Sequence, residues 1–125
     1  KVAAGESGVL IRFQEQAMFQ TGDVRISEGF RGELVTLARI LQDTPGEVRV
    51  SGHTDDVPIQ SSRFRSNWAL SAGRAVSVVH AFEEGGIDSD RLLVEGHAHT
   101  DPVRPNDSRA NRARNRRVDV YIFED

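Results

Sequence analysis

The sequence predicts an α/β fold of the α+β sandwich type, two amphipathic helices covering one four-stranded sheet. Three observations carry that expectation: short apolar runs suited to strands, two longer stretches with apolar residues at helical spacing, and Pro or Gly punctuation between them. At 125 residues and 38% hydrophobic, the chain suffices for one domain, burying roughly two-thirds of its unfolded surface.

Residues 1–8 lack periodicity and read as a poorly ordered N-terminal segment ahead of a domain spanning 9–125. Val9–Phe13 is a short apolar strand, and Gln14–Ile26, polar and containing Gly22, is a loop. From Glu28 to Asp43 the residues Phe30, Leu34, Leu37, Ala38 and Leu41 mark a helix. Ser27 is its N-cap candidate and Thr44-Pro45-Gly46 its stop, since proline cannot continue a helix. Glu47–Ser51 alternates with Val48 and Val50 inward, and Gly52 ends that strand. His53–Arg65 is polar and proline-bearing, a loop.

A second helical stripe runs through Trp68, Ala72, Ala75, Val76, Val79 and Phe82, opened by Ser66 or Asn67 and closed by Gly85-Gly86. Arg91–Glu95 is a third strand and Gly96–Arg114 a long polar loop. Arg117–Phe123 is a fourth strand with Val118, Val120 and Ile122 on one face. The order is β-α-β-α-β-β.

Composition excludes several classes. With no cysteine there is no disulfide scaffold, thiolate nucleophile or Cys-based zinc site. No stretch approaches the ~20 apolar residues of a membrane span. The net charge of −3 opposes nucleic-acid binding, and the Arg-rich stretch 104–117 lacks interleaved aromatics for base stacking. The first residue is Lys1, and the chain reads as part of something longer.

Three polar segments sit where ligands bind in α/β folds, near the ends of elements. Ser51-Gly52-His53-Thr54-Asp55-Asp56 follows the second strand, where Gly52 permits a turn and Thr54 and Asp55 offer a hydroxyl and a carboxylate. An Asx turn explains the same aspartates without a ligand. Asn67 and Arg74 lie two helical turns apart, with Leu70 and Ser71 between them, on a face distinct from the core stripe. The competing reading of Arg74 is a solvated helix arginine. The third segment, Arg104–Arg117, carries six arginines against the single acid Asp107. His53, His97 and His99, with Asp55 and Asp101 nearby, keep open a zinc hydrolase, although their spacing matches no strong ligand signature.

Together these segments are more specific. Gly52-His53-Thr54-Asp55, Asn67-x-x-Leu70-Ser71-x-x-Arg74-Ala75-x-x-Val78, Asn106 and Asn115-Arg116-Arg117-Val118 resemble the OmpA-like peptidoglycan-binding domain across roughly residues 9–123. The stretch through Val57-Pro58-Ile59 and Phe64-Arg65-Ser66-Asn67-Trp68 looks like the MotB/PomB branch, the flagellar stator subunits. Outer-membrane members of the family usually have a Gly soon after Thr-Asp and a shorter loop, so this loop's contacts do not transfer from them.

The resemblance implies a non-enzymatic domain with a mixed four-stranded sheet, no cofactor and no metal. It implies that Asp55, beside Thr54, takes the ammonium of a cell-wall peptide and that Arg74 takes its carboxylate. Arg116, Asn67 and Leu70 complete the pocket, and Gly22 supplies a further backbone contact. It also implies a periplasmic domain of a single-pass inner-membrane protein, dimeric, whose separate membrane helix joins a MotA/PomA-type subunit. An outer-membrane cell-wall anchor is the alternative within the fold. From the residues themselves, a zwitterionic amino-acid head calls for one anion and one cation at fixed separation, which Asp55 and Arg74 supply. A purely structural Asp55–Arg74 salt bridge is the competing account.

Overall fold

In a computed structural model, which describes residues 8–59 and 63–123, strand β1 (Gly8–Gln14) runs directly into one helical turn, α1 (Glu15–Met18). Helix α2 (Glu28–Leu41), strand β2 (Glu47–His53) and helix α3 (Asn67–Glu84) follow. A 3-10 turn (Ser89–Arg91) leads into β3 (Leu92–Gly96), then helix α4 (Arg109–Asn115) and strand β4 (Arg117–Phe123). The sheet order is β1-β4-β2-β3, so the last strand inserts between the first two. It pairs antiparallel with both, whereas β2 and β3 run parallel. That parallel pair requires a crossover, which α3 provides. Residues 1–7 lie outside the described residues, and Gly8 already belongs to β1.

The core lies between the sheet and the two long helices. Val48, Val50, Val118, Val120 and Ile122 alternate onto one sheet face, against Leu34, Ala38 and Leu41 of α2 and Ala75, Val78, Ala81 and Phe82 of α3. Burying a side chain such as Phe82 contributes about 1.5–3 kcal/mol. The carboxyl end of α3 closes as a Schellman motif. Gly86 takes φ +106°, the Ile87 amide donates to the Phe82 carbonyl and the Gly86 amide to that of Glu83.

Ser27 occupies the N-cap of α2 as expected, without a side-chain capping bond. Four local expectations are corrected. Gly52 does not end β2, which continues through His53. The polar loop after β1 contains α1 and an antiparallel bridge between Phe19 and Ile26. The long polar loop before β4 contains α4, whose sequence has no apolar stripe to reveal it. Ser108 caps α4 by accepting the Asn111 amide.

The fourth correction concerns α3. Trp68 and Val76, assigned to its core stripe, are exposed, and the buried line runs through Leu70, Ser71, Arg74, Ala75, Val78, Ala81 and Phe82. Hydrophobicity misplaced the face because the buried line carries a charge compensated by groups distant in sequence.

Two glycines decide where α3 sits. A Cβ on Gly52 would stand 2.0 Å from the Ser71 carbonyl oxygen, and one on Gly96 would stand 2.8 Å from Ala72 Cβ. Their hydrogens let the first turns of the helix lie directly on β2 and β3. Close approach, rather than a turn, is the work of Gly52.

Candidate functional site

The carboxyl end of β2 delivers His53, Thr54 and Asp55 beside the first two turns of α3. Alternation along the strand separates them: His53 goes to the sheet face away from the helices, while the chain turns at Thr54 and Asp55. The Thr54 amide donates to the Ala98 carbonyl at 2.8 Å, and the Ala98 amide donates to Ser71 Oγ at 3.1 Å. Ala98 is buried with φ +52°, a conformation that costs a non-glycine residue roughly 1–2 kcal/mol. These bonds hold it there, and through it α3 and the loop after β3 grip Thr54. Asp55 accepts the Val57 amide at 3.0 Å, so the expected Asx-type turn forms. Its other oxygen stays available for a different partner.

That partner is Arg116, not Arg74. Arg116 Nη1 lies 2.8 Å from Asp55 Oδ2, and Arg116 Nε lies 2.8 Å from Glu15 Oε1. The second oxygen of Glu15 accepts from Arg74 Nη1. The four side chains thus form a chain of alternating charge: Asp55, Arg116, Glu15, Arg74. Burial works against the Arg116 charge, but the bonds to Asp55 and Glu15 outweigh it and raise its pKa above the ordinary arginine value.

Arg74 is only 3% exposed. It also donates to the carbonyls of Asp23 at 2.8 Å and Gln20 at 3.2 Å, with its guanidinium over the Phe19 ring. The direct Asp55–Arg74 salt bridge, the competing account of these two residues, is therefore absent, and so is the solvated arginine. Arg74 instead anchors the 20–23 turn, which Gly22 makes possible with φ +72°. Asp23 steadies that turn by accepting the amides of Arg25 and Val24, which hold its carboxyl below the usual range.

The remaining expected residues surround this chain. Asn67 opens α3 and donates to the Val57 carbonyl at 3.0 Å, fastening the turn after Asp55 to the helix. Ser66, the other capping candidate, accepts the Ala69 amide. Leu70, on the first turn of α3, is 6% exposed.

Two contributors were missed from the sequence. Glu15, in a stretch taken for a loop, ties the two arginines together, and no local pattern marks it. Asn115, quoted only as part of a motif, is fully buried and accepts the amides of Val103 and Arg104 while donating to Arg104 O and Asn106 Oδ1. It folds the 103–106 loop back on the α4–β4 junction that places Arg116.

Arg117 belongs to a second network on the opposite sheet face. Buried Asp119 accepts from Arg12 at 2.8 and 3.1 Å and from Arg117 at 3.1 Å. His53 lies 3.8 Å from the same carboxylate and stacks on His97 at 4.8 Å between ring centroids. Burial, then the Arg117 charge, push the His53 pKa down to about 4. His97 engages Glu95 at 2.8 Å, whereas His99 borders a different cleft. Among the described residues no group of three His, Cys, Asp or Glu is placed to hold a metal ion, so the three histidines do not form the zinc site left open above.

Residues 18–116 match the model of the OmpA family. The chain belongs to the OmpA family. Its OmpA-like α/β fold has close structural counterparts. The cell wall anchor of the T6SS from Pseudomonas aeruginosa superimposes with a TM-score of 0.88 at 33% identity, covering 94% of this chain and 82% of that one. The periplasmic domain of Helicobacter pylori MotB gives 0.87 at 28% identity, covering 98% and 80%.

Among sequence relatives, Motility protein B of Escherichia coli K12 is 36% identical over 91% of this chain and 37% of its own length. The uncharacterized protein YtxE of Bacillus subtilis is 36% identical over 94% of this chain and 49% of its own length. The chain thus spans about half the length, or less, of these relatives. OmpA-like peptidoglycan-binding domains of this kind are non-enzymatic. Among the described residues no helix is long and apolar enough to cross a membrane.

Proposed function

We propose that this OmpA-like peptidoglycan-binding domain is the periplasmic part of a MotB/PomB-type stator subunit and anchors an ion-driven motor to the cell wall. The likeness to Motility protein B and to the MotB periplasmic domain supports the assignment. The observation that carries wall binding is the Asp55–Arg116–Glu15–Arg74 chain, which presents a carboxylate and a guanidinium side by side at the carboxyl end of β2.

In this reading the ammonium of a zwitterionic stem residue docks at Asp55 beside Thr54. Its carboxylate docks at the half-buried Arg116, which the buried Arg74 supports through their shared partner Glu15. Asn67 and Leu70 hold the α3 wall of the pocket, and the backbone at Gly22 closes the far side. Through a membrane helix outside this chain, the protein pairs with a MotA/PomA-type subunit and forms a dimer. Wall attachment then keeps the stator from being dragged round as torque is delivered.

Co-sedimentation with purified sacculi tests the wall-binding step. Asp55→Ala lowers retention at least tenfold while the circular dichroism spectrum is unchanged; equal retention removes Asp55 from the site. Motility of cells whose full-length protein carries Asp55→Ala tests the stator assignment. The likeness to the T6SS anchor supports a second reading, a cell-wall anchor for another envelope machine. On that reading Asp55→Ala abolishes sacculus binding and leaves swimming intact.

A further inference from the structure

The first turn of α3 carries the only tryptophan of the chain, and Trp68 is 52% exposed. A ring of this size left in water next to a candidate binding site marks a surface suited to a partner. The indole borders a cleft of about 280 Å³ whose rim includes Asp56, Pro58, Arg65, Asn67 and His99.

This cleft and the charged site share one wall. Asp55 accepts the Val57 amide, Asn67 donates to the Val57 carbonyl, and Asp56 pairs with Arg112 at 3.1 Å. The 55–57 turn is therefore pinned to both α3 and α4. Asp55 meets Arg116 in the charged site, and the next residue, Asp56, lines the Trp68 cleft.

The chemistry of the cleft is a flat apolar plate ringed by donors (Arg65, Asn67, His99) and an acceptor (Asp56). That combination suits a pyranose, whose C–H face stacks on an aromatic ring while equatorial hydroxyl and acetamido groups bond to a polar rim. A protein partner calls for a broader apolar core than one indole flanked by exposed Val57.

We propose that Trp68 is a stacking platform for an amino-sugar ring of the glycan strand. The sugar and its peptide stem are then gripped together on the two sides of the 55–57 turn. The proposal rests on the wall-binding reading above and goes beyond it by naming a glycan subsite.

Because Trp68 is the single tryptophan, its emission reports the cleft directly. Titration with the stem-free disaccharide N-acetylglucosamine–N-acetylmuramic acid shifts or quenches the emission saturably, and stem peptide alone does not. Trp68→Ala lowers the affinity for intact sacculi about fivefold or more, and Trp68→Phe restores most of it. If saturating disaccharide leaves the emission unchanged while sacculi still bind, the platform is refuted and the wall-binding reading stands. If the wild-type domain binds no sacculi, that reading fails and the platform with it.

Discussion

Arg116 donates to the Asp55 carboxylate at 2.8 Å, and this contact, rather than one between Asp55 and Arg74, sets the geometry of the site. The carboxylate is oriented before any ligand arrives, because Arg116 is itself held at 2.8 Å by Glu15. Preorganisation of this kind lowers the ordering cost of binding. Glu15 thus acts on the Asp55 carboxylate through Arg116 without touching it.

Glu15→Ala leaves the buried Arg74 guanidinium without its carboxylate, and loss of one partner from a buried pair costs about 3–5 kcal/mol. Urea unfolding of this variant is expected to show a loss of that size. Glu84→Ala, which removes the exposed partner of Arg31, serves as the contrast. Its effect stays within ~1 kcal/mol, as for solvent-exposed pairs generally.

Arg116→Lys keeps the charge but not the planar fork that reaches Glu15 and Asp55 at once. Sacculus affinity is expected to fall about tenfold, with a stability loss of roughly 1–2 kcal/mol from the charge-assisted bond not replaced. Binding isotherms and thermal unfolding of the same preparation separate the two effects. Unaltered affinity at reduced stability would make Arg116 purely structural.

Glycine substitutions should act with opposite signs at two places. Gly52→Ala drives a Cβ to 2.0 Å from a helix carbonyl, so α3 must lift off the sheet. A loss of at least ~3 kcal/mol, the upper part of the overpacking range, or outright failure to fold is expected. Gly32→Ala meets nothing within 4 Å on exposed α2 and is expected to stabilise by about 0.5–1 kcal/mol through helix propensity. Melting temperatures read both signs.

Stability should decline on acidification through a definite window. His53 has a pKa of about 4 in the folded protein against 6.5 as the ordinary value, so between these the unfolded chain binds more protons. Its contribution is complete above pH ~6.5, falls as pH drops toward ~4, and changes no further below that. A shift of this size corresponds to roughly 3 kcal/mol. Urea titrations at pH 7.5, 5.5 and 4 compare the wild type with His53→Gln, which should flatten that part of the profile. Parallel profiles for the two proteins would show that His53 is not the responsible group.

That the candidate residues gather in one place was legible before their contacts were. Thr54, Asp55, Asn67, Leu70, Arg74 and Arg116 stand in motifs whose spacing places them at strand ends and on one helical face, and the structure brings all six to one end of the sheet. What the motifs do not encode is who touches whom. Asp55 and Arg74 look like partners when only opposite charge and topology are considered. Glu15, 40 residues from Asp55 in the sequence, and Arg116, which comes from the far end of the chain, occupy the space between them.

Short apolar runs and the periodicities of 2 and 3.6 by themselves determined the four strands, the two long helices and the inward rows of Val48, Val50, Val118, Val120 and Ile122, because each is a local pattern read within one window. Only the tertiary structure decided the face of α3 that turns inward, the helical state of residues 109–115 and the pairing of the charges. Those outcomes depend on groups brought together from distant segments. A buried guanidinium is stable only where such groups supply its carboxylate and carbonyls, and no window along the chain contains them.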